Sequence, residues 1–320
     1  MLGGFTLAAQ RSGLTTAQAG GFESTAAHNV RLMDTGVAPR NPSQTALLTA
    51  AARALHRQEP PPWILDDTLA LRLAGTDGTA LVERVRAELP PEEMFSFCRW
   101  VCIRARVAED AIERAVGSGV RQYVILGAGL DSFAYRRKDL MDRLRVFEVD
   151  HPASQAWKRR RLQEIGIAEP HGLVFAPIDF ERQTLKDGLR AAGFRFAEPA
   201  VLSWIGVTMY LTREAISATL ESVARCASGS RLVMTYNLPP SSMTAFSRRV
   251  TTSLQNKVAI AAGEPFISLF TPEEIERLVK RSGFVRVEHF GPDEARRTYL
   301  DGRPDVQVAG AQRMIIASVA

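Results

Sequence analysis

The chain has 320 residues, 46% hydrophobic and 23% charged, near the globular average. That composition excludes wholesale disorder, collagen and coiled coil, and a chain this long buries a full core without staples. Its 40 basic and 35 acidic side chains leave a net charge of +5, too small an excess to argue for nucleic acid. Residues 1–120 carry 12 basic against 13 acidic side chains, and residues 121–320 carry 28 against 22, so the excess belongs to the later part.

Residues 1–40 are rich in Gly, Ala, Ser and Thr without a sustained period, which predicts a flexible N-terminal segment. A helical cap is expected over 41–116. Its first helix, Ser43–Arg57, spaces Ala46, Leu47, Ala50, Ala51, Ala54 and Leu55 three or four apart, and Pro60-Pro61-Pro62 stops it. A second helix starts at Asp67, a third runs Thr79–Glu88, and a long one runs Glu92–Val116.

From Gln122 short apolar runs alternate with helical stretches such as Pro152–Ile165 and Leu185–Ala192. The expected strands are Tyr123–Leu126, Val146–Val149, Leu173–Ala176, Val201–Trp204, Arg231–Tyr236, Phe284–His289 and Met314–Ala317. Several are apolar throughout, as strands buried on both faces are. Alternating strand and helix implies an α/β domain over 117–320, with a mostly parallel sheet covered on both faces. Leu238–Phe270, with helical Met243–Ala262, is longer than a plain connection and predicts a lid over the sheet's carboxyl edge. Thr271-Pro272-Glu273-Glu274 reads as a capping box.

The three cysteines, Cys98, Cys102 and Cys226, imply no disulfide framework, and the five histidines are scattered, so no metal is expected. No run approaches the ~20 apolar residues of a membrane span, and the N-terminus has no basic-then-apolar secretory signal. The expectation is a cytoplasmic protein without a membrane or nucleic-acid partner.

The strongest local signal is the strand Tyr123–Leu126 running into Gly127-Ala128-Gly129-Leu130-Asp131. Glycines there permit positive φ and close approach of a ligand to the backbone. Asp150 ends the next strand and suits the two hydroxyls of a ribose. His151 follows it. Asp179, after the third strand, suits the amine edge of an adenine, with Phe180 packing on the ring. Trp204, Met209 and Tyr210, at the fourth strand's carboxyl end, are candidates for the reaction cleft. Arg104 and Arg106 precede the glycine turn and suit a ligand carboxylate. The third glycine of the dinucleotide fingerprint is missing, which weighs against an NAD(P)-dependent oxidoreductase without removing it. A cofactor-binding protein without catalysis is the other rival.

From about Ser43 to Ala320 the chain resembles the leucine carboxyl methyltransferases, class I enzymes that use S-adenosylmethionine and include bacterial O-methyltransferases of natural products. The matching stretches are Arg104-Ala-Arg106-Val-Ala-Glu-Asp110, Val124-Ile-Leu-Gly-Ala-Gly-Leu-Asp131 with Tyr135-Arg136, Phe147-Glu-Val-Asp-His-Pro152, Pro177-Ile-Asp-Phe180 and Val207-Thr-Met-Tyr-Leu-Thr212. The resemblance implies a Rossmann-like, doubly wound, seven-stranded sheet. It also implies that Arg106 with Arg104 binds the cofactor's carboxylate. Gly127, Ala128 and Gly129 then lie under its amino-acid part, Asp150 holds the ribose with His151 beside it, and Asp179 and Phe180 hold the adenine. Trp204 joins that cofactor set, and Tyr210 borders the acceptor. The acceptor is expected to be a small molecule or a peptide end, and the protein a monomer or homodimer. Two positions depart from the family pattern: Ile205 stands where many relatives carry glutamate, and Gln44 where many carry a basic residue. A carboxylate acceptor needs no general base, whereas a hydroxyl wants one, for which Tyr210 and His151 are the candidates.

Overall fold

The computed structural model describes residues 44–179, 182–254, 265–303 and 305–320. The segment 1–40, Ser43, Phe180 and the later part of the helix expected over Met243–Ala262 lie outside the described residues.

Among the described residues seven strands form one sheet: β1 (Gln122–Leu126), β2 (Arg145–Asp150), β3 (Leu173–Pro177), β4 (Ala200–Trp204), β5 (Arg231–Asn237), β6 (Phe284–Phe290) and β7 (Gln312–Val319). Their order is β3-β2-β1-β4-β5-β7-β6. The first five in that order run parallel, and β7 is antiparallel to both of its neighbours. The chain enters at β1, winds outward to β3, then returns to lay β4 on β1's other side. The carboxyl ends of β1 and β4 are therefore adjacent while their outgoing connections diverge. Such a reversal opens a crevice in which α/β sheets bind ligands.

The strands follow period-two alternation. Val124, Leu126, Phe147, Val149, Leu202 and Leu232 fill the core on one face, and Tyr123, Ile125, Val146 and Val201 pack on the other. The helices are α1 (Gln44–His56), α2 (Ala70–Glu88), α3 (Pro91–Gly117), α4 (Phe133–Arg136), α5 (Lys138–Met141), α6 (Pro152–Glu164), α7 (Leu185–Ala191), α8 (Arg213–Val223), α9 (Ala245–Leu254), α10 (Pro272–Arg281) and α11 (Pro292–Tyr299). The stretch expected as two helices between Asp67 and Glu88 is broken within α2 at Gly75, whose φ of +65° and ψ of −156° are not helical. The capping box of α10 is present, with Glu274 N donating to Thr271 Oγ1 at 3.3 Å and Thr271 N donating to Glu274 Oε2 at 2.9 Å.

α3 joins cap to sheet because it is buried on more than one side. Met94, Cys98 and Val101 pack with α1 and α2, whereas Trp100, Ile103, Val107 and Ala111 pack against Val233 and Met314 of the sheet. Cys98 and Cys102 are thus core residues, and burial pushes both thiols up. Among the described residues no helix is long and apolar enough to cross a membrane.

Candidate active site

Over the carboxyl ends of β1 and β4 lies a cavity of about 340 Å³, closed by residues of α1, α3 and α9. Its floor is the glycine turn. Gly127 N and Ala128 N both donate to Val149 O, at 2.8 and 3.0 Å, tying the turn to β2. Gly127 has φ +68°, and a Cβ there would stand 2.4 Å from Val207 Cγ2, so only glycine fits.

Gly129 N donates to Asp150 Oδ2 at 2.5 Å, and His151 N donates to Asp150 Oδ1 at 2.7 Å. Burial pushes the Asp150 carboxyl up, and the two amides only partly offset that. Each oxygen retains acceptor capacity for a further hydroxyl. The strand end and the turn therefore position Asp150 on the cavity wall.

Tyr210 reaches the lining from a single 3₁₀ turn, Thr208–Tyr210. Thr208 Oγ1 donates to Thr235 O at 2.6 Å, and Ile267 N donates to Met209 O at 2.8 Å, fixing that turn from both sides. The Tyr210 ring meets Phe266 edge-on, with centroids 5.5 Å apart. Val250 and Thr251 of α9 also line the cavity.

Phe97, Val101, Arg104 and Ala108 form one stripe of α3 facing the cavity. Arg104 is 7% exposed. Its Nη1 donates to Gln312 Oε1 at 2.8 Å, and a Cβ at Gly206 would stand 3.1 Å from its Nη2. Gln312 Oε1 also accepts Trp100 Nε1 at 3.2 Å, while Gln312 Nε2 donates to Asn237 Oδ1 at 2.9 Å. Burial lowers the Arg104 pKa to about 10, so the group stays charged at neutral pH.

Four of the residues singled out from sequence do not line the cavity, and a fifth lies outside the described residues. Arg106 sits two residues beyond Arg104, about 200° around the helix. Its side chain is 41% exposed and pairs with Asp110 at 2.7 Å. Trp204 is turned by strand alternation to the face opposite Ser203 and Ile205, and packs in the core at 3% exposure. His151 is exposed and caps α6, its Nδ1 accepting Ala153 N at 3.2 Å. Asp179 lies two residues past β3, with Arg182 at 3.4 Å from its carboxylate. Phe180 lies outside the described residues.

Sequence reasoning missed an ionic clamp behind the glycine turn. Arg53 of α1 donates from Nε to Asp67 Oδ2 at 2.7 Å and from Nη2 to Leu130 O at 2.7 Å. Ser132 Oγ donates to Asp67 Oδ2 at 2.6 Å, and Arg136 Nε donates to Ser132 Oγ at 2.8 Å. Arg136 also pairs with Glu109. Burial pushes Asp67 up, but Arg53, Arg136 and the Ser132 hydroxyl together hold it below the usual carboxylate range. The available signal was the spacing of Ala46, Thr49 and Arg53, which share one face of α1 and all line the cavity.

The sequence profile of the leucine carboxyl methyltransferase family matches residues 46–224. A Bacillus subtilis protein named as a candidate S-adenosyl-L-methionine-dependent methyltransferase is 32% identical over 287 residues, covering 82% of this chain and 93% of that protein. A Mycolicibacterium smegmatis protein named in the same way is 32% identical over 228 residues, covering 69% of this chain and 73% of that protein. Among solved structures, a candidate methyltransferase of Thermobifida fusca shares the fold with a TM-score of 0.57 at 18% identity, over 89% of this chain and 98% of that one. A DUF574 family protein of Streptomyces avermitilis does so with a TM-score of 0.54 at 15% identity, over 91% of this chain and 100% of that one.

Proposed function

The chain belongs to the leucine carboxyl methyltransferase family and is an S-adenosylmethionine-dependent methyltransferase, and from that premise we propose an oxygen atom as its methyl acceptor. The acceptor is a carboxylate or an acidic hydroxyl, on a small molecule or a peptide C-terminus.

The residues present suit the cofactor. Gly127, Ala128 and Gly129 line the cavity floor, where the amino-acid part of the cofactor would lie. Asp150 keeps acceptor capacity for the ribose hydroxyls, and Arg104 offers a buried cation for the methionine carboxylate. Asp179 and Phe180 remain the proposed adenine partners, and Arg106 is no longer needed for the carboxylate. S-adenosylmethionine supplies a methyl group already activated by a positive sulfur. What the protein contributes is alignment and exclusion of water.

One observation carries the choice of acceptor. The wall beyond the glycine turn is formed by Phe97, Trp100, Tyr210, Asn237, Phe266 and Gln312, with no His, Asp or Glu among them. Along that wall, among the described residues, the Tyr210 phenol is the one titratable group, and His151 caps α6 outside the cavity lining. An acceptor that arrives ionised needs no proton removed. Tyr210 and Phe266 would border it, and the apolar wall would keep water away from the nucleophile.

The test is a competition among carboxylic acids, phenols and neutral alcohols of matched size, read as methyl transfer by the purified protein. The expected preference is for acids and acidic phenols, with the rate following the acceptor's own ionisation. Preference for neutral alcohols would overturn the reading.

A further inference from the structure

Among the described residues five charged side chains line the cavity: Arg53, Arg104, Glu109, Asp131 and Asp150. Arg53 has Asp67 at 2.7 Å, Glu109 has Arg136, and Asp150 accepts two backbone amides. Two groups are not matched. Arg104 has the neutral Gln312 amide as its hydrogen-bond partner, with no carboxylate among the described residues within 4 Å. Asp131 faces the same cavity, and its Oδ1 accepts Phe133 N at 2.7 Å, with no cation among the described residues within 4 Å. Among the described residues the cavity thus presents one cation without a carboxylate partner and, besides Asp150, one anion without a cation.

Isolated charges in a confined site are costly unless a partner of opposite sign arrives. A zwitterion meets both needs at once. Asp131 also contributes to raising the pKa of Tyr123, Glu109 and Glu148 around it, which marks the spot as negative. The wall at the end of β4 supplies no competing acid, since Ser203, Ile205, Gly206 and Val207 line it.

We propose that the Asp131 carboxylate accepts hydrogen bonds from the α-ammonium group of the cofactor, opposite Arg104 on its carboxylate. Asp131 is thus the selector for the amino-acid end, as Asp150 is for the nucleoside end. This rests on the cofactor assignments above. It gives a role to an acid that the sequence motif displays without explaining.

Asp131→Asn is the informative variant. An amide oxygen still accepts Phe133 N, so the turn is retained while the charge is lost. Binding is measured by calorimetry with two ligands: S-adenosylhomocysteine, which carries the ammonium, and methylthioadenosine, which lacks the whole amino-acid end. The expected result is a loss of roughly tenfold or more for S-adenosylhomocysteine, the scale of a charge-assisted hydrogen bond. Methylthioadenosine should bind within about twofold of wild type, since no charged contact to it has changed. Equal loss for both ligands would make Asp131 a scaffold of the turn and overturn the proposal. So would unchanged binding of both. A wild-type protein that binds neither ligand would instead overturn the cofactor assignments, and this proposal with them.

Discussion

At the β2 side of the cavity, the ligand-facing groups are held by the backbone and by their near neighbours in sequence. Asp150 is fixed by Gly129, 21 residues before it, and by His151, the next residue. At the β5–β7 side the groups are held by side chains from remote segments. Gln312 meets Arg104 across 208 residues and Asn237 across 75. The first arrangement is rigid and general, and suits a ligand that does not change. The second depends on which side chains stand at a few positions, and it reaches both Arg104, the proposed cofactor cation, and the wall at Asn237.

The sharpest way to break the first side is through the clamp beneath it. Asp67→Ala would leave the Arg53 and Arg136 guanidiniums without their shared carboxylate in a buried setting. The expected loss is about 3–5 kcal/mol of folding stability, read by denaturant titration. The acid limb should change too. Asp67 is held below its unfolded value, so its contribution is present above that value and fades as pH falls through the lower folded value. The variant's stability should therefore depend less on pH in that acidic window than the wild type's does.

A smaller effect tests the cofactor contact alone. Asp150→Ala should weaken S-adenosylhomocysteine binding by ~1.5–3 kcal/mol, the cost of losing hydrogen bonds to a charged acceptor. Because burial raises the Asp150 pKa, wild-type affinity should also decline as pH falls through that raised value, where the neutral form accepts less well. Calorimetry across pH checks both. Unchanged affinity in the variant would remove Asp150 from the ribose.

The same contrast explains what the sequence could reveal. β1, β2 and the glycine turn were legible because the tight backbone and the acid closing β2 leave a local signature. The arrangement of Asn237, Gln312 and Trp100 leaves none, since only the folded sheet brings β5, β7 and α3 together. Trp204 was misplaced because an aromatic at a strand end suits core and cleft equally, and period-two alternation decides between them. His151, one of two candidate bases by sequence, caps α6 through Nδ1, a local role that the motif does not display. The clamp was invisible because its members come from α1, the loop before α2, and α4.

The choice between Arg104 and Arg106 rests on helix geometry rather than on residue type. Both are arginines on α3, and α3 is buried on several sides, so its hydrophobic pattern does not say which face meets the cavity. Arg104 faces inward with no carboxylate partner among the described residues, while Arg106 spends its guanidinium on Asp110, which also accepts the Tyr299 hydroxyl at 2.7 Å. An ion pair so exposed contributes about 0–1 kcal/mol. Arg106→Ala should therefore change stability by no more than that and leave S-adenosylhomocysteine affinity within about twofold. Arg104→Ala should lower affinity at least tenfold, by loss of a charge-assisted contact in a buried site. Parallel titrations of the two variants decide the matter. If the Arg106 variant loses binding and the Arg104 variant keeps it, the inward-facing cation serves the acceptor instead, and the boundary between the two sides of the cavity moves by one turn of α3.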